Sequence, residues 1–337
     1  MGATIAMSTG LNLEQALARI GWVPPSLPEL AARVPQRWRR RVPTRARNVL
    51  VGRFGHPSEP FDPLAYPAKL NLGCGYDKRP GYLNIDFQDF HDPDHVGDVR
   101  SMPELPTGRY TEIIAQDILE HLERAQTAAT LQEWRRLAAP GARLELRVPD
   151  TPSMARWLTR EDDVEHQRLV MHHMFGTQVY SGDYHLAGFT DLLLCDELFH
   201  ARFGRVEMQL LHDWLWEVEA FADAPPVGLV WGPGFYYGED DGRRWADAEA
   251  ELAVCAGHPI EVALGLELSR HPDADTRLSI EGPHGVETIE LTAEPIGHEV
   301  RFTAPPGATR FRFRTEGEPA RDTRVLAFGA AGRAALA

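Results

Sequence analysis

Lysine is almost missing from this chain. Only Lys69 and Lys78 occur in 337 residues, so positive charge is carried by arginine. Cysteine is scarce as well. Cys74, Cys195 and Cys255 are odd in number and far apart, which excludes a disulfide framework and a zinc-ligand spacing and fits reduced thiols. No run of about 18 apolar residues occurs, so no membrane-spanning helix is expected. The opening "MGATIAMSTGLNLEQALARIGW" lacks a positively charged start followed by an apolar core. No secretory signal is therefore expected, and the chain reads as cytoplasmic. The deficit of positive charge is general: 35 basic residues stand against 49 acidic ones, a net charge of −14, which argues against nucleic-acid binding. Internal repeats and long low-complexity tracts are absent too.

What is present is ordinary globular composition, 43% hydrophobic, and a length that suggests two domains at roughly 100–200 residues each. The acidic balance is broken once. Residues 37–53 read "RWRRRVPTRARNVLVGR", with seven arginines and no acid. Such a run suits contact with a polyanion or with the anionic inner face of a membrane, and equally suits a solvated linker.

Residues 11–35 show amphipathic helical spacing broken by Pro24, Pro25 and Pro28, and with the basic run form a lead segment over 1–65. From Lys69 the chain alternates strand and helix. Strands are predicted at 69–73, 82–86, 112–116 and 142–148, with a helix over "RAQTAATLQEWRRLAA" ended by Pro140 and Gly141. Residues 151–203 are helical, loop-rich and carry His166, His172, His173, His185 and His200. Runs at 205–211 and 214–221 predict a closing antiparallel hairpin. This grammar predicts an α/β domain over 66–224 with a mostly parallel sheet. From about Gly232 short alternating runs separated by turn residues predict an all-β sandwich over 232–337.

The stretch "KLNLGCGYDKRPGYLNIDF" places Gly73-Cys74-Gly75 after one apolar run and Asp86 at the end of the next. Glycines directly after a buried strand let backbone approach a ligand, and a strand-end acid can accept from a ribose diol. A nicotinamide dinucleotide fits poorly. Lys78 stands where its third glycine would be, and Asp86 follows Gly75 after ten residues rather than about twenty. A single adenosine with a short charged tail fits better.

At this point the chain resembles the class I S-adenosylmethionine-dependent methyltransferases. The resemblance rests on "LNLGCG", "YLNID", "GDVRSMPEL", "AQDILEHL" and "GARLELRVPD", in that order over about residues 66–222. Within that superfamily it is most similar to a bacterial glycan-pathway group with a late segment like "FGTQVYSGDYHLAGFT". The resemblance implies a Rossmann-like, mostly parallel seven-stranded sheet with an antiparallel hairpin, and S-adenosyl-L-methionine as cofactor. It implies Gly73, Cys74 and Gly75 against the methionine part, Asp86 on the ribose, and Asp98 with the Val99 amide at the adenine. Gln116 and Asp117 would border the methyl donor. Surface capping is the other reading of Asp98 and Asp117, and packing is preferred over chemistry for Cys74.

A hydroxyl acceptor needs a base, and histidine is the common choice near neutral pH. His185, in "GDYHLAGF", is the first candidate and His121, in "LEHL", the second; a structural bond to backbone is the other reading of His121. No metal site is expected, since His172 and His173 lack a third donor at ligand spacing. The second domain resembles a small β-sandwich appended to glycan-assembly enzymes, through Gly234, Phe235, Tyr236, Glu239, Arg244, Trp245, Asp322, Arg324 and Leu326. These residues are equally readable as core and ion pairs. The expected function is O-methylation of a sugar hydroxyl in a glycan, glycolipid or glycosylated metabolite. The alternatives are methylation of a non-sugar natural product or lipid headgroup, and a glycan-binding scaffold with an inactive methyltransferase domain. The oligomeric state is left open.

Overall fold

Pro63 opens a single 3-10 turn, Pro63–Ala65, capped by Asp62, and from Lys69 short buried strands follow one another in quick succession. The computed structural model describes residues 61–160, 162–180, 182–239, 242–321 and 325–337. The helical expectation at 11–35, the arginine run at 37–53, Asp322 and Arg324 lie outside the described residues. Asp62–Ala337 forms one unit.

Its first seven strands are β1 (Lys69–Leu72), β2 (Leu83–Asp86), β3 (His95–Val96), β4 (Tyr110–Gln116), β5 (Ala138–Pro149), β6 (Phe203–Leu211) and β7 (Leu215–Ala222). They lie side by side in the order β3-β2-β1-β4-β5-β7-β6. The first five are mutually parallel, and β7 runs antiparallel to both β5 and β6. The β6–β7 turn has His212 and Asp213 at φ 51° and 61°, and the Trp214 amide donates to the Leu211 carbonyl at 3.0 Å. Two consecutive left-handed residues match the right-handed twist of the flanking strands, which is why so short a turn closes this hairpin.

Among the described residues four α-helices accompany the strands: α1 (Thr127–Leu137), α2 (Thr151–Leu158), α3 (Val164–Phe175) and α4 (Asp191–His200). α1 buries Thr127, Thr130, Leu131, Trp134 and Leu137, the one-face spacing expected of an amphipathic helix. Its Trp134 indole donates to the Val99 carbonyl at 2.9 Å and so fixes the loop after β3. Asp150, Asp163 and Thr190 cap α2, α3 and α4 by accepting from backbone amides in the first turn.

The expectation of a seven-stranded sheet followed by a separate sandwich needs correction. The sheet does not stop at β6. β8 (Val227–Trp231) pairs parallel with β6 on one side and antiparallel with β10 (Glu249–Ala256) on the other. β15 (Gly307–Glu318), β12 (Asp275–Gly282) and β13 (Gly285–Glu290) then continue it to twelve strands. A four-stranded sheet of β9 (Arg244–Ala246), β11 (Ile260–Ser269), β14 (Ile296–Ala304) and β16 (Phe328–Leu336) covers this second half. The two layers bury one core that includes Trp231, Leu252, Leu264, Phe311, Phe313 and Phe328. The physical reason is in "VGLVW", whose residues are all buried: a continuous apolar run fits a strand covered on both faces. It cannot serve as a solvated linker.

Side chains reinforce the junction. α4 lies against β6, β10 and β15, and its Asp191 pairs with Arg310 of β15 at 2.9 Å. Arg244 of the covering sheet lies over the Trp231 ring at 4.5 Å, donates to Glu207 of β6 at 2.8 Å, and also bonds Gln209. Phe235 is buried against Trp231, Phe313 and Phe328, so it and Arg244 are structural parts of this core. Leu326 is buried with Ala274 and Ala320, and Trp245 packs against that group.

At the opposite end of β4 from the loops described below, Lys69, Glu112 and Arg143 sit in register across β1, β4 and β5. Glu112 accepts from Lys69, Arg143 and Tyr82 at 2.8, 2.5 and 2.8 Å. Burial opposes its ionisation, but these donors outweigh it and hold the carboxyl at about 2. Because the folded value lies below the ordinary one, this stabilisation is present above about pH 5 and is lost as pH falls towards 2. Thermal unfolding followed between pH 6 and 2.5 should show Glu112→Gln losing less stability with acidification than the parent; equal slopes would remove Glu112 from that account. A second expectation concerns the shared sheet. A chain ending at Asp223 leaves β6 with an open, apolar edge and should aggregate or fail to fold, which soluble yield and circular dichroism would report. A monomeric, folded product would show that β8 is dispensable.

Candidate functional site

The strand order reverses between β1 and β4, and ligands of open α/β sheets bind at such a point, outside the carboxyl ends of the strands. A cleft of about 600 Å³ opens there. Gly73, Cys74, Gly75, Asp86, Asp98, Val99, Gln116, Asp117 and His121 all line it. These are the eight residues expected to hold cofactor and one of the two histidines. His185 does not line the cleft itself. Its ring stands behind His121, centroid to centroid 4.8 Å, edge to face.

The glycine loop has little freedom. Gly73 is at φ +62°, and a Cβ there would come within 1.8 Å of Ile118 Cδ1. Gly75, at φ +50°, has no atom within 4 Å of where its Cβ would be, so its backbone borders open space. Its amide donates to Asp86 Oδ2 at 2.8 Å. Asp86 Oδ1 accepts from the Gln88 amide at 2.7 Å and faces His91 Nδ1 at 2.9 Å. Asp86 is thus buried and already takes three hydrogen bonds. A carboxylate offers about four lone-pair sites, so one is left for a ligand. The side chain that was expected to grip a diol chiefly ties the glycine loop to the end of β2.

The other acids are also engaged. Asp98 receives Arg100 through both oxygens, at 2.6 to 3.1 Å, and this pairing lowers its pKa. Asp117 is at φ +54° and is paired with Arg147, whose Nε lies 3.0 Å from Oδ1. A non-glycine residue held left-handed at the end of a central strand is a strained position of the kind found where ligands bind. Gln116 accepts from Arg79 at 2.9 Å and donates to Glu145 at 2.6 Å. Cys74 is buried, and burial followed by the Asp86 charge pushes its thiol up to about 12, so it packs and does not act as a nucleophile.

Opposite the glycine loop the segment 176–188 closes the cleft, contributing Tyr180, Gly182 and Leu186. Two amides of this segment, Leu186 and Ala187, donate to one carbonyl, that of Glu120, at 2.6 and 3.1 Å. The Tyr184 carbonyl accepts from His121 Nδ1 at 3.2 Å. The His185 amide donates to the Phe175 carbonyl at 3.1 Å. Burial lowers the pKa of both imidazoles, and His121 lowers that of His185 further, so both are neutral near pH 7.

Glu120 is the residue that sequence reasoning missed. It sits between Leu119 and His121, is 2% exposed, and its Oε2 has no hydrogen-bond partner among the described residues. Burial, and then the Asp117 charge, raises its pKa well above the ordinary value. The available signal was an acid inside the apolar "ILEHL", directly after a central strand. His185, within 4.8 Å of it, is distant in sequence, so no spacing rule connects the two.

No family model and no curated protein matches the chain. Solved structures align with about half of it. A "possible exported protein" of Bordetella parapertussis aligns at 14% identity and TM-score 0.36, over 47% of this chain and 63% of its own. An S-adenosylmethionine-dependent methyltransferase of Methanosarcina mazei aligns at 15% and 0.35, over 49% and 99%. A didemethyltoxoflavin N-methyltransferase of Burkholderia thailandensis, solved with S-adenosylhomocysteine, aligns at 13% and 0.32, over 48% and 73%. The chain thus spans less than two thirds of the first of these. Likeness of this degree decides neither cofactor nor substrate, which rest on the residues of the cleft.

The closing segment supplies its own test. Gly176 is at φ +76°, and a Cβ there would lie 2.2 Å from the Asp183 carbonyl oxygen. Gly176→Ala should therefore release residues 176–187, at a local cost of at least about 1 kcal/mol. Hydrogen exchange should rise there while β1, β4 and β5 stay protected. Unchanged exchange would mean that the segment is held by other contacts.

Proposed function

We propose that the chain is an S-adenosylmethionine-dependent methyltransferase acting on a hydroxyl oxygen, with a sugar hydroxyl as the acceptor. One observation carries the reading: the glycine loop and the ends of β1, β2 and β4 open into a single cleft at the reversal point of the strand order. The residues fit such a cofactor. The Gly75 backbone borders open space, one Asp86 lone pair is free, and Asp98 with Val99 forms the far wall. When bound, the cofactor supplies an activated methyl group on a sulfonium, so the hard chemistry is its own.

The chain's work is then alignment and exclusion of water. Asp117 and Ile118 end the central strand beside the glycine loop, and the Arg147 pair keeps the Asp117 carboxylate from swinging across the cleft. Segment 176–188 covers the acceptor side and brings Tyr180, Leu186 and His121 together. A flat ring beside polar hydrogen-bonding groups suits a sugar, which has apolar C–H faces and polar edges. Tyr76 and Phe87, exposed at the cleft, favour a second reading in which a less polar natural product is the acceptor.

Calorimetry with S-adenosylmethionine and S-adenosylhomocysteine tests the assignment. Both should bind one per chain. Asp86→Ala removes a charged acceptor and frees the loop, so affinity should fall by at least the ~1.5–3 kcal/mol of a hydrogen bond to a charged group. An unchanged affinity in that variant, or no binding to the parent, would overturn the proposal.

A further inference from the structure

We propose that Glu120, His121 and His185 form a binding site for one divalent transition-metal ion at the acceptor end of the cleft. One ligand atom from each residue lies within 4.8 Å of the other two. Glu120 is buried with Oε2 unpartnered, and a buried carboxyl oxygen without a donor is costly unless something compensates it. A cation satisfies all three groups together.

The surroundings are those of metal ligands. A ligating histidine commonly gives its other ring N–H to a backbone carbonyl, which fixes the tautomer and leaves the second nitrogen free. His121 meets that description through Nδ1 and the Tyr184 carbonyl, which leaves the Nε2 lone pair available. His185 packs edge to face on the His121 ring, and its amide donates to the Phe175 carbonyl at 3.1 Å. Asp117 stands nearby but is paired with Arg147, so the donor set is two nitrogens and one oxygen. Bonds of about 2.0–2.2 Å in a tetrahedral site place ligand atoms roughly 3.4 Å apart, so the side chains close by about 1 Å on binding.

Two imidazoles and a carboxylate select zinc, cobalt and similar ions over magnesium or calcium, which prefer oxygen alone. Three protein ligands leave a coordination position open, and His121 puts that position on the cleft wall. The consequence for methyl transfer rests on the function proposed above. A hydroxyl bound at the open position loses its proton to solvent more readily, as bound water does. The oxygen lone pair then forms the bond to the methyl carbon while the carbon–sulfur pair leaves with sulfur. In that arrangement His121 and His185 are ligands, and no imidazole is required as a base.

The test is a titration of the chelator-stripped full chain with Co²⁺, followed by visible absorption and calorimetry, with no nucleotide present. One ion per chain should bind with a visible d–d band. Losing an outer-sphere partner already costs about 10–100-fold in affinity, so His121→Ala, His185→Ala and Glu120→Gln should each lose about 100-fold or more. His172→Ala, on the exposed side of α3, should bind as the parent does, and Zn²⁺ but not Mg²⁺ should displace Co²⁺. Absence of saturable binding, or equal binding in all three ligand variants, would overturn the site. Displacement by equal Mg²⁺ would overturn the ion class. Asp86→Ala should keep the metal, and a parent chain that binds Co²⁺ but neither S-adenosylmethionine nor S-adenosylhomocysteine sinks the methyltransferase reading alone.

Discussion

Everything in the described unit hangs on the backbone ladder of β8. Five buried residues, Val227–Trp231, bond β6 on one edge and β10 on the other. Through them a mostly parallel sheet with its cleft and an antiparallel sandwich become one surface. Hydrogen bonds along such a ladder are individually modest, yet an unpaired buried strand edge is costly, so the ladder holds as a whole. Asp191 with Arg310 and Arg244 with Glu207 add charged contacts across the same seam. The sandwich thereby also stiffens β6, β7 and, through them, β5, which carries Arg147 to the cleft.

Within the cleft two buried carboxyls behave in opposite ways. Asp86 takes three hydrogen bonds from the chain's own donors, keeps one lone pair, and acts as a brace between the glycine loop and β2. Glu120 is buried with an oxygen left bare, while its backbone carbonyl anchors the segment that covers the acceptor side. A satisfied acid shapes a site, whereas an unsatisfied one beside two imidazoles calls for an occupant. The contrast separates the framework of the cleft from the part with chemistry still to perform.

Much of this was legible in the sequence because local rules govern it. The apolar runs at 69–72 and 83–86, the helical spacing of 127–137 and the turn after Leu211 each follow from periodicity and turn chemistry within a few residues. The glycine loop, Asp86 and Asp117 could be placed at strand ends for the same reason, Asp98 came only from the resemblance, and all reach the one cleft. The strands of the second half were likewise visible as alternating runs. The run at 227–231 was not, since a strand covered on both faces has no alternation to display.

Local sequence therefore determined the elements and the strand-end residues, because backbone propensity and side-chain alternation act over short distances. Tertiary structure alone decided what those residues touch. It gave Asp86 three partners, set His185 behind His121 instead of on the cleft wall, and made residues 227–231, between the two expected domains, the strand that unites the sheet. It also brought Glu120 and His185, far apart in sequence, to within 4.8 Å. Burial and long-range pairing produce those outcomes, and neither is written in the spacing of residues along the chain.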